Sequence, residues 1–97
     1  MTSTSKNILI IADLKTDYQT WKKRFDEDKL ERSKTCNENK TLVGKIGPKK
    51  VMLAMFDINE KGIERRKDSK FQKELVEPFC EQLDIFSIEK LETYKFN

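Results

Sequence analysis

Few side chains in this sequence have the chemistry of a catalyst. There are two cysteines, Cys36 and Cys80, and two carboxylates, Asp13 and Asp17, that flank the junction of the first two predicted elements. Three rings, Tyr18, Trp21 and Phe25, stand in the charged stretch TDYQTWKKRFDEDKLERSK. A buried carboxylate can act as a general base, a thiol becomes a nucleophile when its pKa is lowered, and a row of rings can line a pocket for a flat apolar ligand. The chain has no histidine. That removes Ser-His-Asp and Cys-His catalysis, histidine general bases, histidine-ligated haem and ordinary histidine-rich zinc sites. Capping a helix explains Asp17 more simply than catalysis does. The cysteines form no CxxC pair and read as free, reduced thiols. No ligand cluster suggests a metal, and no motif suggests a cofactor.

These residues must be positioned by a small domain. Across 97 residues, 36% are hydrophobic and 38% charged, against ~25% charged in an average globular protein. The apolar residues are clustered, so the composition describes a thin core with a heavily charged exterior. The net charge of +3 has mixed signs and compels neither nucleic acid nor membrane as a partner. No apolar run approaches the ~20 residues that span a bilayer, and MTSTSKNILIIAD does not read as a signal peptide. A cytoplasmic protein is the expectation.

Residues 1–6 are polar and read as a flexible N-terminus, 7–92 as a single domain and 93–97 as a C-terminal tail. ILIIAD (8–13) predicts a first strand. Thr16 to Gln19 fit a capping box, and Tyr18, Trp21 and Phe25 recur at helical spacing, predicting a first helix that ends near Ser33. Asp28 and Arg32 stand at i,i+4 on it, in the order that favours pairing. TLVGKI (41–46) and KVMLAMFD (50–57) flank the turn Gly47-Pro48-Lys49-Lys50 and predict a hairpin. Lys61, Arg65, Arg66, Lys67 and Lys70, interleaved with Glu60, Glu64 and Asp68, read as a solvated helix surface, with an acidic partner as the lesser reading. A second helix is predicted to begin at Asp68 or Ser69, to carry Phe71, Leu75 and Phe79, and to end or kink at Pro78. DIFSIEKLETY predicts the last strand.

The resulting order, β-α-β-β-α-β, is the ferredoxin-like α+β pattern, an antiparallel sheet with two helices on one face. Such a sheet should alternate apolar and polar residues, yet Val51, Leu53 and Met55 are opposed by Met52, Ala54 and Phe56. Two helices cover one face only. The expectation is therefore a homodimer through the other sheet face, since a two-fold dimer is the commonest symmetric cover.

RNA-recognition domains share this topology, but they stack bases on aromatics of strands 1 and 3, where this chain offers Phe56 alone. The lysines around the hairpin read as edge protection, and the sequence argues against nucleic acid. Acylphosphatases also share the topology, but LKTDYQ is not their glycine-rich anion loop.

The phrases DYQTWKKRFDED, KKVMLAMFDIN and DSKFQKELVEPF, in that order after a first strand, resemble the dimeric α/β-barrel superfamily over roughly residues 7–92. Its small members include antibiotic-biosynthesis-monooxygenase-like and stress-responsive barrel proteins. The resemblance implies two sheets facing each other, with pockets between sheet and helices. Haem-using members depend on a histidine that is absent here, and no catalytic residue carries over. The ligand-pocket candidates are Tyr18, Trp21, Phe25, Met52 and Phe56. The expected role is non-catalytic binding of a partner protein or small hydrophobic ligand, without cofactor or metal. The alternative is a cofactor-independent monooxygenase or isomerase acting on an aromatic or quinol-like compound.

Overall fold

The computed structural model describes residues 6–89; the expected tail at 93–97 and all but Lys6 of the expected flexible N-terminus lie outside them. Strand β1 (Lys6–Leu14) is followed by helices α1 (Tyr18–Glu27) and α2 (Lys29–Ser33) and a 3-10 turn, Glu38–Lys40. Strands β2 (Leu42–Gly47) and β3 (Lys50–Ile58) form the predicted hairpin, and helices α3 (Glu60–Lys67) and α4 (Ser69–Phe71) follow. A π-helical turn, Gln72–Val76, continues from α4 before β4 (Cys80–Ile88). The fold is α+β, with one four-stranded sheet in the order β2-β3-β1-β4 and every neighbouring pair antiparallel.

The central strands set the core. Strand residues alternate between faces, and β1 turns Ile8, Ile10, Ala12 and Leu14 to the inner face, all buried. Ile8 pairs with Met55, Ile10 with Leu53 and Ala12 with Val51, so the two strands bury matched apolar rows. Between Lys6 and Ile8 the register slips, and β3 carries an extra residue there. Asp57 takes up the bulge at φ 56°, a left-handed conformation that Asp tolerates better than most residues. Its N–H donates to Asn7 Oδ1 at 2.9 Å, which holds the bulge to β1.

Helix α1 starts one residue later than the capping box suggests. Asp17, not Thr16, is the N-cap, and its Oδ1 accepts the Thr20 N–H at 2.7 Å. That bond, foremost, holds the Asp17 carboxyl below its usual value. The expected single helix to Ser33 is broken at Asp28, and the predicted Asp28–Arg32 pair does not form. Arg32 instead turns inward beneath α1, 4% exposed, and donates from Nε and Nη2 to the two carboxylate oxygens of Glu38, each at 2.7 Å. Its Nη1 donates to Phe25 O at 2.7 Å, and its guanidinium lies 3.6 Å from the Phe25 ring centroid. Burial pushes the Glu38 carboxyl up, but the bonds and charge of Arg32 outweigh it and leave Glu38 below its ordinary value.

The run from Glu60 to Lys67, expected as a solvated helix surface, is helix α3. Asn59 caps it, accepting the Gly62 N–H at 3.0 Å. Gly62 is buried where α3 crosses Ile58 and Thr35, an approach that leaves no room for a side chain. Asp68 caps α4 as predicted. Glu77 N donates to Gln72 O at 2.8 Å, the i→i+5 bond of a π turn, just before Pro78 ends the helix. Strand β4 then begins at Cys80, earlier than DIFSIEKLETY suggests.

Candidate functional site

A cleft of about 380 Å³ lies between the inner sheet face and the helices, within the ~300–1,000 Å³ range of small-molecule sites. Ile10, Leu53 and Met55 form its floor. Trp21 and Phe25 of α1 form one wall, and Leu75 and Val76 of the π turn form the opposite wall. Along β4 the floor continues through Leu83 and Ile85, which pair with Ala12 and Ile10. Ile85 is 56% exposed although it faces the same side as the buried Ile10, so the cleft opens to solvent at this edge. At the other end an ion pair, Arg65 Nη2 to Asp28 Oδ1 at 2.6 Å, ties α3 to the end of α1.

The wall on α1 is rigid. Trp21 and Phe25 stack with ring centroids 5.1 Å apart, and Tyr18 tilts against Trp21 at 5.9 Å. Aromatic pairs at such distances add ~0.5–1.5 kcal/mol beyond their buried area. Arg32 clamps the far side of Phe25.

The predicted site residues are thereby divided. Trp21 and Phe25 come together in the cleft wall, whereas Tyr18 stands behind Trp21 and does not line the cleft. Its ring lies 5.6 Å from Lys45 Nζ. Met52 and Phe56 lie on the opposite sheet face, half-buried, and share no cavity with the three rings. Their face also carries Leu9, Ile11 and Ala54, with Leu42 and Phe86 57% and 51% exposed at its margins.

The nucleophile candidates are quiet. Burial pushes the Cys80 thiol up, and burial with the charge of Glu38 does the same to Cys36; both thiols are free. Asp13 is 45% exposed and its nearest cation is Lys50 Nζ at 3.7 Å, so it is no buried base. Among the described residues, no three His, Cys, Asp or Glu side chains gather into a metal site, and no helix is long and apolar enough to cross a membrane.

The polar groups that do border the cleft were hidden inside charged runs. They are mostly cations: Lys6, Arg24, Arg32, Arg65, Arg66 and Lys67, with Asp28 the one carboxylate among the described residues. Arg66 stands one turn after Gly62 and three residues after Ile63. That spacing, once α3 is recognised as a helix, puts it on the inward face. Cations of this kind donate hydrogen bonds and attract anions. No protein-family model, no curated protein and no solved structure matches this chain, so the site is read from its own geometry.

Proposed function

We propose that this chain is a non-catalytic binding protein that holds a small hydrophobic ligand in the cleft and dimerises through the opposite sheet face. The observation that carries the reading is the cleft itself, an open apolar space of about 380 Å³ walled by stacked rings. Unfilled apolar space costs stability in a close-packed interior, so a small domain that retains it gains from an occupant. Binding is favoured over chemistry because the groups at the cleft are guanidinium and ammonium ions, a paired carboxylate and a protonated thiol. The monooxygenase-like alternative needs an acid or base facing the ligand, and among the described residues Asp28, already bonded to Arg65, is the one carboxylate that lines the cleft.

The strand order β2-β3-β1-β4 supports reading the domain as ferredoxin-like. The dimer is supported by the outer sheet face. At ~3.3 Å per residue and ~4.8 Å between strands, four strands of up to nine residues present roughly 500 Å² in projection. Side-chain relief makes the accessible area larger, near the ~800 Å² each subunit gives to a standard interface. Its centre is apolar, while Asp13, Lys50 and Asp84 lie toward one end, which is the core-and-rim arrangement of protein interfaces. Native mass spectrometry of the purified protein tests both parts. The expected species has twice the 11.5 kDa chain mass and carries a small-molecule adduct. A ligand-free monomer at micromolar concentration contradicts the proposal.

A further inference from the structure

Arg66 is a cation with no ion-pair partner among the described residues. Its side chain is drawn into the cleft wall, where Nη1 donates to Gly62 O at 2.9 Å and Nη2 lies 2.9 Å from the thioether of Met55, a weak acceptor. Among the described residues it makes no ion pair, in contrast to Arg32 and Arg65 in the same wall, whose carboxylates are Glu38 and Asp28. A guanidinium has five N–H donors, and two are used. Burial, foremost, pushes its pKa down; Cys36 and Asp28 oppose that shift, and the charges of Arg65 and Arg32 add to it. A partly desolvated cation costs free energy unless paired. Lys6, Arg24 and Lys67 border the same cleft, also without an ion pair among the described residues.

Resting on the reading of the cleft as a ligand site, we infer that its ligand is an amphipathic carboxylate whose head pairs with Arg66. The apolar body lies on Leu53 and Ile10 against the Trp21–Phe25 wall. The carboxylate takes the remaining N–H groups of Arg66, in the planar geometry that suits a guanidinium fork. The unpaired cations at the rim add attraction from a distance and steer an anion inward. A neutral ligand of the same shape fills the cleft but leaves Arg66 unpaired.

Matched probes separate this inference from the reading beneath it. The protein is titrated with 4-butylbenzoate and with 4-butylbenzyl alcohol by calorimetry, as wild type and as the Arg66→Met and Arg66→Lys variants, with melting curves to establish folding. The acid is expected to bind wild type roughly tenfold or more tighter than the alcohol, the scale of a hydrogen bond to a charged group. Arg66→Met should reduce that preference to about twofold or less, read as the ratio of the two affinities in the same folded variant. Arg66→Lys should keep a reduced preference, because it retains the charge and loses the fork. Equal affinity for acid and alcohol in wild type, or an undiminished preference in folded Arg66→Met, overturns the carboxylate inference while leaving the cleft a ligand site. Binding of neither probe overturns both.

Discussion

Substituting Gly62 by alanine sets a local preference against a tertiary contact, and the structure decides which prevails. In an exposed helix interior, Gly→Ala gains ~1 kcal/mol from backbone entropy. Here the new Cβ would lie 2.7 Å from Ile58 Cγ2, 2.9 Å from Thr35 Cβ and 3.0 Å from Thr35 O. None of these atoms is the free end of a flexible chain. Ile58 is 1% exposed, and the Thr35 carbonyl accepts the Asn59 N–H at 2.9 Å, beside the cap that starts α3. Forcing such atoms apart costs ~1–3 kcal/mol, and two approaches under 3.0 Å put Gly62 at the upper end, ~2–3 kcal/mol. The net expectation is a loss of about 1–2 kcal/mol, or roughly 5–15 °C in Tm for a domain of this size. Thermal unfolding followed by circular dichroism measures it. Because Gly62 O also accepts from Arg66, lifting α3 should weaken carboxylate binding in the folded variant. A Tm equal to or above that of wild type would show that α3 does not press on Ile58 and Thr35 as described.

Three further perturbations probe separate parts of the fold. Glu38→Gln leaves Arg32 buried without its carboxylate and should cost about 3 kcal/mol, read by urea unfolding; a cost below 1 kcal/mol would refute the pairing. Because the folded Glu38 pKa is lowered, its contribution is full above the ordinary value of 4.5 and fades as pH falls through the lower folded value. Wild type should therefore lose more stability than Glu38→Gln as pH falls from 4.5 to the lower folded value. Phe86→Glu puts a charge on the outer sheet face at a half-exposed position, so light scattering should report the 11.5 kDa monomer; an unchanged dimer would refute the assignment of that face. Asp57→Val places a β-branched residue at φ 56° and should cost ~1–3 kcal/mol, whereas Asp57→Gly should stay within ~1 kcal/mol of wild type; equal melting points for the two variants would argue against the bulge.

The sheet was legible in the sequence because strands carry their signal locally. Val51, Leu53 and Met55 against Met52, Ala54 and Phe56 announced a strand apolar on both faces, and Gly47-Pro48 marked its turn. Trp21 and Phe25 likewise declared the inward face of α1 by spacing alone. The charges of α3 read as helix surface, but its one large apolar residue, Ile63, is too little to mark an inward face, and its start rests on Asn59 reaching the Gly62 N–H. Arg32 was concealed for a different reason: its carboxylate is Glu38, six residues on, across a break that no helical spacing predicts. Arg66 looked like any surface cation because desolvation belongs to the packing of α3 over Met55, not to its neighbours in sequence. The cleft depends on how far the helices stand from the sheet, a distance set by tertiary contacts such as Asp28–Arg65.

Trp21 is the single tryptophan, 8% exposed in the cleft wall, so its emission reports directly on an occupant. Titration with 4-butylbenzyl alcohol, excited at the tryptophan alone, should give a saturable change at about one equivalent per chain, the occupancy expected of one small-molecule pocket. Leu83→Phe, which adds bulk to the cleft floor, should abolish the change, and Phe86→Gln on the outer face should leave it intact. An emission that does not saturate, or one that saturates equally in Leu83→Phe, would contradict a ligand site in this cleft.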